Sequence, residues 1–160
     1  MNQYGETVIG IDVGGERKGF HAVALLDRHF VDKKADTNPS TLVAWCTHHK
    51  AKIVAVDAPC KWSQSDSSRK VERELGGKGI HCFATPTQEK ASRQDFYKWV
   101  FNGQRLYHEL LRYYRLFNGK HLKGQMCIET FPHAIVCAMA GEVVPARPKS
   151  KRRREALRMR

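Results

Sequence analysis

Three short strand-like segments near the N-terminus, joined by tight turns, constrain the fold of this chain more than any other feature. Thr7–Val13 is rich in β-branched residues and is followed by a Gly-Gly pair, Phe20–Leu26 comes after that turn, and a third segment covers residues 29–33. Strands of this length with so few residues between them pair as an antiparallel meander. The sheet is therefore predicted to begin with three antiparallel strands.

The rest of the sequence alternates helical segments with apolar strands, which predicts that the sheet continues in parallel. Asn38 and Pro39 supply a cap and a first turn for a helix over residues 41–49, and residues 53–56 form a continuous apolar run typical of a buried parallel strand. Further helices are predicted over residues 65–75, 96–117 (with a break or kink at Asn102-Gly103) and 132–140, and a fifth strand over residues 125–129. This order predicts an α/β fold with a mixed five-stranded sheet, flanked by helices, in which the first strand is central.

The charge of the chain is concentrated at its C-terminal end. The formal net charge is +12, and residues 147–160 contribute +7 of it, through eight basic residues and one acidic residue. A basic segment attracts polyanions, of which nucleic acid is the commonest, although it can also be simply solvated. We therefore divide the chain into a domain over residues 1–146 and a basic segment over residues 147–160.

The sequence predicts neither a membrane span nor a secretion signal. The longest apolar runs, such as residues 53–56 and 134–140, are far shorter than a span, and the first seven residues lack a basic flank and an apolar core. The five cysteines have no paired spacing, which is typical of buried thiols in a reducing compartment. These features predict a cytoplasmic protein without membrane contact. They do not determine the oligomeric state, and a homodimer is among the states that they allow.

Each of three predicted strands ends in an acidic residue. Asp12 lies near the end of the first strand, Asp57 closes the fourth and Glu129 closes the fifth. Because the carboxyl ends of parallel strands line one crevice, we expect these three side chains to converge. Clustered carboxylates are the ligands that Mg²⁺ or Mn²⁺ prefers, and such cations activate water and stabilise the leaving oxygen in phosphodiester cleavage. Taken singly, an acid after a strand is also a common cap or turn former.

Basic and aromatic side chains add candidates for contacts to nucleic acid. The candidates for phosphate contacts are basic residues on a turn, on a helix and in the basic segment: Arg17, Lys18, Arg69, Arg73, Lys151, Arg152 and Arg153. Exposed, solvated side chains are the alternative for all of them. Trp99, Tyr107, Tyr113 and Tyr114 could stack on bases, although their spacing along one helix is more typical of a core.

Several sequence motifs resemble those of a known family. They are GIDVGGERKGFHAVAL, VAVDAPCKW with SRKVERELGGKGIHCFATPT downstream of it, and CIETFPHAIVCAMAG. Over about residues 7–157 the chain is similar to a bacterial and archaeal domain-of-unknown-function family of predicted ribonuclease H-like nucleases, related by fold to the Holliday-junction resolvase RuvC and its YqgF-type relatives. The resemblance implies a ribonuclease H-like fold with Asp12, Asp57 and Glu129 at its acidic positions. Members continue past the basic stretch into a last helix with further Asp residues, so residues 147–160 are expected to be the start of a truncated final helix.

The function predicted from these features is hydrolysis of phosphodiester bonds in DNA or RNA by a divalent-metal-dependent nuclease. A non-catalytic nucleic-acid-binding module with the same fold is one alternative. An actin-like ATP-dependent phosphotransferase is another, because its first strand also ends in Asp-x-Gly-Gly. Against it, Glu16 stands where those proteins carry a hydroxyl residue, and 160 residues are too few for their two lobes.

Overall fold

A mixed sheet of six strands, flanked by helices, forms the centre of the structure, a computed structural model that describes residues 5–146. The strands are β1 (Thr7–Val13), β2 (Phe20–Leu26), β3 (His29–Asp36), β4 (Ile53–Asp57), β5 (Arg115–Leu116) and β6 (Met126–Glu129). The helices are α1 (Pro39–His48), α2 (Lys70–Gly77), α3 (Gln88–Ser92), α4 (Lys98–Leu110) and α5 (Pro132–Ala140), with a 3-10 turn at Asp95–Tyr97. The predicted basic segment, with Lys151, Arg152 and Arg153, lies outside the described residues.

The strand order is β3-β2-β1-β4-β6-β5, which confirms the predicted meander and its parallel continuation. β1 pairs with β2, and β2 with β3, in antiparallel fashion. The pairs β1–β4, β4–β6 and β5–β6 are parallel, so β1 is an inner strand where the two pairing modes meet. The sheet has one strand more than the predicted five, because the two-residue β5 pairs with β6. Two residues are too few to show an alternating pattern in a sequence.

The four predicted helices are present, with shifts at the ends of α1, α2 and α4, whereas α3 was not predicted, because its five residues are too few for a periodic pattern. α2 begins only at Lys70, because the preceding serine-rich loop folds on itself, with the Ser63 hydroxyl in hydrogen-bonding distance of the Ser65 and Ser67 carbonyls. α4 is shorter than predicted and ends at Leu110 before β5. α5 ends at the predicted Gly141, which has the left-handed φ of 73° typical of a helix stop. None of the described helices has the length and apolar character needed to cross a membrane.

The hydrophobic core lies on one face of the sheet. Alternate residues of β1 and β4 point into it, and helices α1 and α4 cover them. The main buried side chains of these elements are Ile9, Ile11, Val13, Leu42, Val43, Val54, Val56, Leu106 and Leu110. On the opposite face of β1, Gly10 and Asp12 are exposed. The alternation therefore directs the Asp12 carboxylate away from the core.

Candidate functional site

Asp12 and Asp57 are direct neighbours at the carboxyl ends of two parallel strands. They are register partners in the β1–β4 pair, so their side chains leave the sheet on the same face. Asp12 is exposed and Asp57 is half-buried. Two carboxylates in this position repel each other unless a cation or donor lies near them. The structure thus brings together two of the three acids expected to bind a metal.

Glu129 is offset from this pair by one residue. Its register partner in β4 is Val56, not Asp57, so its side chain starts on the opposite face of the sheet. There its carboxylate accepts hydrogen bonds from the Cys60 backbone N–H at 2.9 Å and from the Arg69 guanidinium at 2.5 and 3.0 Å. Among residues 5–146 the three acids therefore do not form one metal-binding group, and the carboxylate of Glu129 is instead engaged by Arg69 and the Cys60 backbone.

Arg69 links two acidic side chains in one half-buried network. Its Nε donates to Glu72 at 2.7 Å, while its two terminal nitrogens donate to Glu129. Glu72 is only 7% exposed, and it also accepts hydrogen bonds from the Thr85 backbone N–H and hydroxyl. The Arg69 guanidinium also donates to the Lys61 carbonyl at 3.4 Å. All of these partners of the guanidinium lie within the protein. In this arrangement the Arg69 guanidinium pairs with Glu72 and Glu129, and the phosphate contact suggested by the sequence stays a prediction.

The charges in this network shift the pKa values of its acidic groups. Burial alone raises the pKa of Glu129, but the hydrogen bonds from Arg69 and from the Cys60 backbone outweigh it, and the pKa lies below its usual value. The same balance of burial against hydrogen bonds from Thr85 and Arg69 lowers the pKa of Glu72. Burial and the nearby Glu129 carboxylate raise the pKa of Cys60 to about 12. Cys60 is therefore protonated at neutral pH and unsuited to act as a nucleophile.

Three polar side chains of α4 hold the segments that follow the two aspartates. Asn102 Nδ2 donates to the Gly14 carbonyl at 3.0 Å, just after Asp12. Gln104 Nε2 donates to the Pro59 carbonyl at 2.6 Å and the Tyr107 hydroxyl to the Ala58 carbonyl at 3.1 Å, both just after Asp57. One helix therefore fixes both strand exits, and these positioning residues were not identified from the sequence.

Gly103 allows α4 to approach this close. A Cβ atom at position 103 would lie 2.7 Å from the Cβ atom of Ala58, closer than two such atoms can pack. The sequence pair Asn102-Gly103 was expected to break or kink the helix, but α4 runs through both residues, and both are buried. Their role is thus contact with the sheet edge and not helix termination.

A cavity of about 880 Å³ opens beside the strand ends. Asp57, Glu129, Arg69 and Glu72 form its polar part. Most of the remaining wall is apolar and comes from α2, the start of α4, α5 and the loop before α3, with Leu75, Ile80, Phe83, Trp99 and Ile135 among the lining residues. The cavity therefore joins the carboxylate of Asp57 to a largely apolar surface.

The basic candidates lie at different places around this edge. Arg17 and Lys18 are exposed on the β1–β2 turn directly after Asp12. Arg73, on α2, hydrogen-bonds to the Ser68 carbonyl through its guanidinium. Among the basic candidates that the structure describes, Arg17 and Lys18 are thus the two on the turn that follows Asp12.

Comparison with known proteins supports a family assignment. The model of the family described as "Protein of unknown function (DUF429)" matches residues 10–160. The chain belongs to this family. No curated protein matches the sequence of this family member, and no solved structure matches it either. The family description names no activity.

Asp12 and Asp57 are the two carboxylates that could hold a metal ion at this edge of the DUF429 protein. Mg²⁺ keeps several of its waters and is bound in many enzymes by one or two carboxylates together with substrate phosphates. Asp12 and Asp57 supply that number. Within residues 5–146, no group of three or more His, Cys, Asp or Glu side chains is placed to hold a metal ion. Two carboxylates are therefore what this edge of the sheet offers among the described residues.

Ionised Glu129 is expected to stabilise the fold in a pH-dependent way. Since its pKa lies below the usual value of 4.5, its contribution is complete above that pH and is lost as the pH falls through the folded-state pKa. The difference in free energy of unfolding between the wild type and Glu129→Gln should thus be largest near neutral pH and shrink below about pH 4. Urea unfolding over this pH range measures it.

Glu74→Gln is the matched control for this experiment. Glu74 lies on α2 and pairs with Lys70, but both side chains are exposed, so water screens the pair. The control should follow the wild-type stability at every pH. A Glu129→Gln difference that is the same at acidic and neutral pH would show that the charge of Glu129 does not stabilise the fold.

Proposed function

We propose that this protein hydrolyses phosphodiester bonds of nucleic acid with the help of Mg²⁺ or Mn²⁺, which Asp12 and Asp57 bind. The observation that carries this proposal is their pairing as register partners at the carboxyl ends of adjacent parallel strands. Two carboxylates on one face of adjacent strands present oxygen ligands that a divalent cation can share. Functional sites are where such pairs of carboxylates are kept.

The roles of the protein groups follow from their surroundings. A divalent cation at this edge would supply an acidified water and charge stabilisation for the leaving oxygen. Asp12 and Asp57 hold it, while Asn102, Gln104 and Tyr107 fix the two strand exits on which those carboxylates stand. Glu129, expected to be a third ligand, acts in this proposal as a positioning residue, because it accepts from Cys60 in the segment after Asp57 and pairs with Arg69.

The ribonuclease H-like fold is part of the same proposal. A meander of three antiparallel strands followed by parallel strands, with the carboxylate pair on the central strand and its parallel neighbour, supports it. Nucleic acid is the proposed substrate because Arg17 and Lys18 are exposed immediately beyond Asp12, where a phosphate backbone would pass. The basic segment of residues 147–160, with Lys151, Arg152 and Arg153, adds sequence-independent attraction.

A non-catalytic nucleic-acid-binding module is the second candidate function. The engagement of Glu129 by Arg69 favours it, because the described residues then offer two carboxylate ligands and not three. Such a module would use the same basic side chains without turnover. The two functions differ in a single property, namely metal-dependent cleavage.

Cleavage assays separate these functions. Labelled single-stranded, duplex, hybrid and junction substrates are incubated with the full chain in Mg²⁺, in Mn²⁺ and in EDTA. The proposal expects shorter products with at least one substrate in either metal and none in EDTA. Tight binding without products in any metal would establish the binding module instead.

A further inference from the structure

Four aromatic side chains form a contiguous cluster beside the cavity, and we name Phe83, Phe96, Tyr97 and Trp99 the aromatic platform. Phe83 is at its centre, with ring centroids 5.5 Å from Phe96 and 5.7 Å from both Tyr97 and Trp99. Phe96 and Tyr97 are 5.3 Å apart. These are the separations of aromatic rings in direct contact. The cluster therefore behaves as one surface and not as four isolated side chains.

The aromatic platform is open to solvent. Phe96 is 65% exposed and Phe83 is 39% exposed, whereas Tyr97 and Trp99 are half-buried beneath them. Single exposed apolar residues are common on protein surfaces, but a contiguous patch points to a binding surface. The rings are thus free to contact a ligand from outside.

The aromatic platform is also next to the proposed catalytic edge. Phe83 and Trp99 line the same cavity as Asp57. Lys98, between Tyr97 and Trp99 in the chain, pairs with Asp95 at 2.9 Å and is within electrostatic range of Glu16 and Arg17 on the β1–β2 turn. The aromatic platform therefore adjoins the cavity that Asp57 lines, and the basic side chain of Lys98 lies beside its rings in the chain.

We propose that the aromatic platform stacks on unpaired bases of a single-stranded stretch of nucleic acid. Every base has a flat face that an aromatic ring can cover, and basic side chains beside the rings follow the phosphates. In a duplex these faces are already stacked, so the platform selects unpaired strands. The inference rests on the proposed function for its choice of ligand, and it narrows the substrate class to strands with unpaired bases.

Binding of labelled oligonucleotides tests the inference independently of cleavage. Fluorescence anisotropy in EDTA compares oligo-dT, oligo-U and a duplex, each of about 12 units, a length typical of single-strand sites. The buffer contains about 0.2 M salt, which screens the long-range attraction of the basic segment. The wild-type chain should bind both single strands more tightly than the duplex, and the two arms show whether DNA or RNA is preferred.

Matched substitutions identify the role of the rings. Phe96→Ala should weaken single-strand binding about tenfold, because it removes an exposed stacking ring. Phe96→Leu should weaken binding similarly while keeping an apolar side chain, and Phe96→Trp should restore it. Phe30→Ala is the control, since Phe30 is equally exposed (63%) but lies on the edge strand β3.

The outcomes that overturn the inference are distinct from those that overturn the hydrolase proposal. Equal binding of duplex and single strands, or no single-strand binding by the wild type, would rule out base stacking. If Phe96→Leu bound the single strands with wild-type affinity, position 96 would make an apolar contact without stacking, which is the kind of contact that a docked protein makes. Equal losses in Phe96→Ala and Phe30→Ala would also rule it out. If no substrate is cleaved but the expected binding results are obtained, only the hydrolase proposal is contradicted.

Discussion

Replacing Asp12 with Asn is expected to reduce metal-dependent cleavage by at least about a hundredfold, since even indirect supports of metal ligands cost 10–100-fold when they are removed. The amide has the shape of the carboxylate but lacks its charge, so the cation loses one of its two protein ligands. Because Asp12 is exposed, the fold should tolerate this change. The measurement is the single-turnover rate on the best substrate, in saturating Mn²⁺.

The stability of the Asp12→Asn variant provides a second result. In metal-free buffer the melting temperature should stay close to that of the wild type, because Asp12 is exposed. Asp66→Asn, an equally conservative change at an exposed loop position, is the activity control and should cleave like the wild type. Undiminished cleavage by the folded Asp12→Asn variant would show that Asp12 takes no part in the reaction.

Replacing Arg69 with Met is expected to lower the free energy of unfolding by about 2–3 kcal/mol, a little less than for a fully buried ion pair. The Met side chain keeps the apolar stem of Arg69 but leaves Glu72 and Glu129 without their common cation. Both carboxylates are mostly shielded from solvent, with 5% and 25% of their side chains exposed, so water replaces the lost contacts poorly. Urea unfolding at neutral pH measures the change.

Arg93→Met is the matched control for Arg69→Met. Arg93 also pairs with a glutamate, Glu89, but these side chains are 72% and 77% exposed. Exposed pairs contribute little, so the control should lose no more than about 0.5 kcal/mol. If both variants lost the same stability, the Arg69 network would not be a stabilising element of this fold.

The sequence predicted the aspartate pair because the information needed for it is local. Apolar runs ending in Asp12 and Asp57 identify both the strands and their last residues. The meander before them and the helical crossover between them then make β1 and β4 parallel neighbours. Composition and periodicity were therefore sufficient for the strand ends.

The position of Glu129 required information that periodicity does not contain. A shift of one residue in strand register moves a side chain to the other face, and nothing within residues 125–129 specifies their alignment with β4. The hydrogen bond from the Arg69 backbone N–H to the Glu72 side chain, three residues further on, follows a recognisable helix-start pattern. The bond from the Arg69 guanidinium to Glu129, sixty residues away, is purely tertiary.

Other residues of the candidate site and of the aromatic platform lacked a sequence signal for similar reasons. Gly103 resembles a helix breaker until the proximity of Ala58 is known. Phe83 lies outside the predicted helices, and Phe96 is the first residue of the helix predicted over residues 96–117, so neither position indicates a shared cluster. Tyr107 and Tyr114 are buried as their spacing suggested, whereas Tyr113 is 57% exposed. Side chains that act through tertiary contacts were the ones that the sequence did not reveal.

The central claim is that Asp12 and Asp57 form a metal site, and calorimetric titration with Mn²⁺ tests it most directly. We predict saturable binding of one ion by the wild type, at least about tenfold weaker binding by Asp12→Asn, and wild-type binding by Asp66→Asn. Mn²⁺ binding that is unchanged in Asp12→Asn, or absent from the wild type, would contradict the claim.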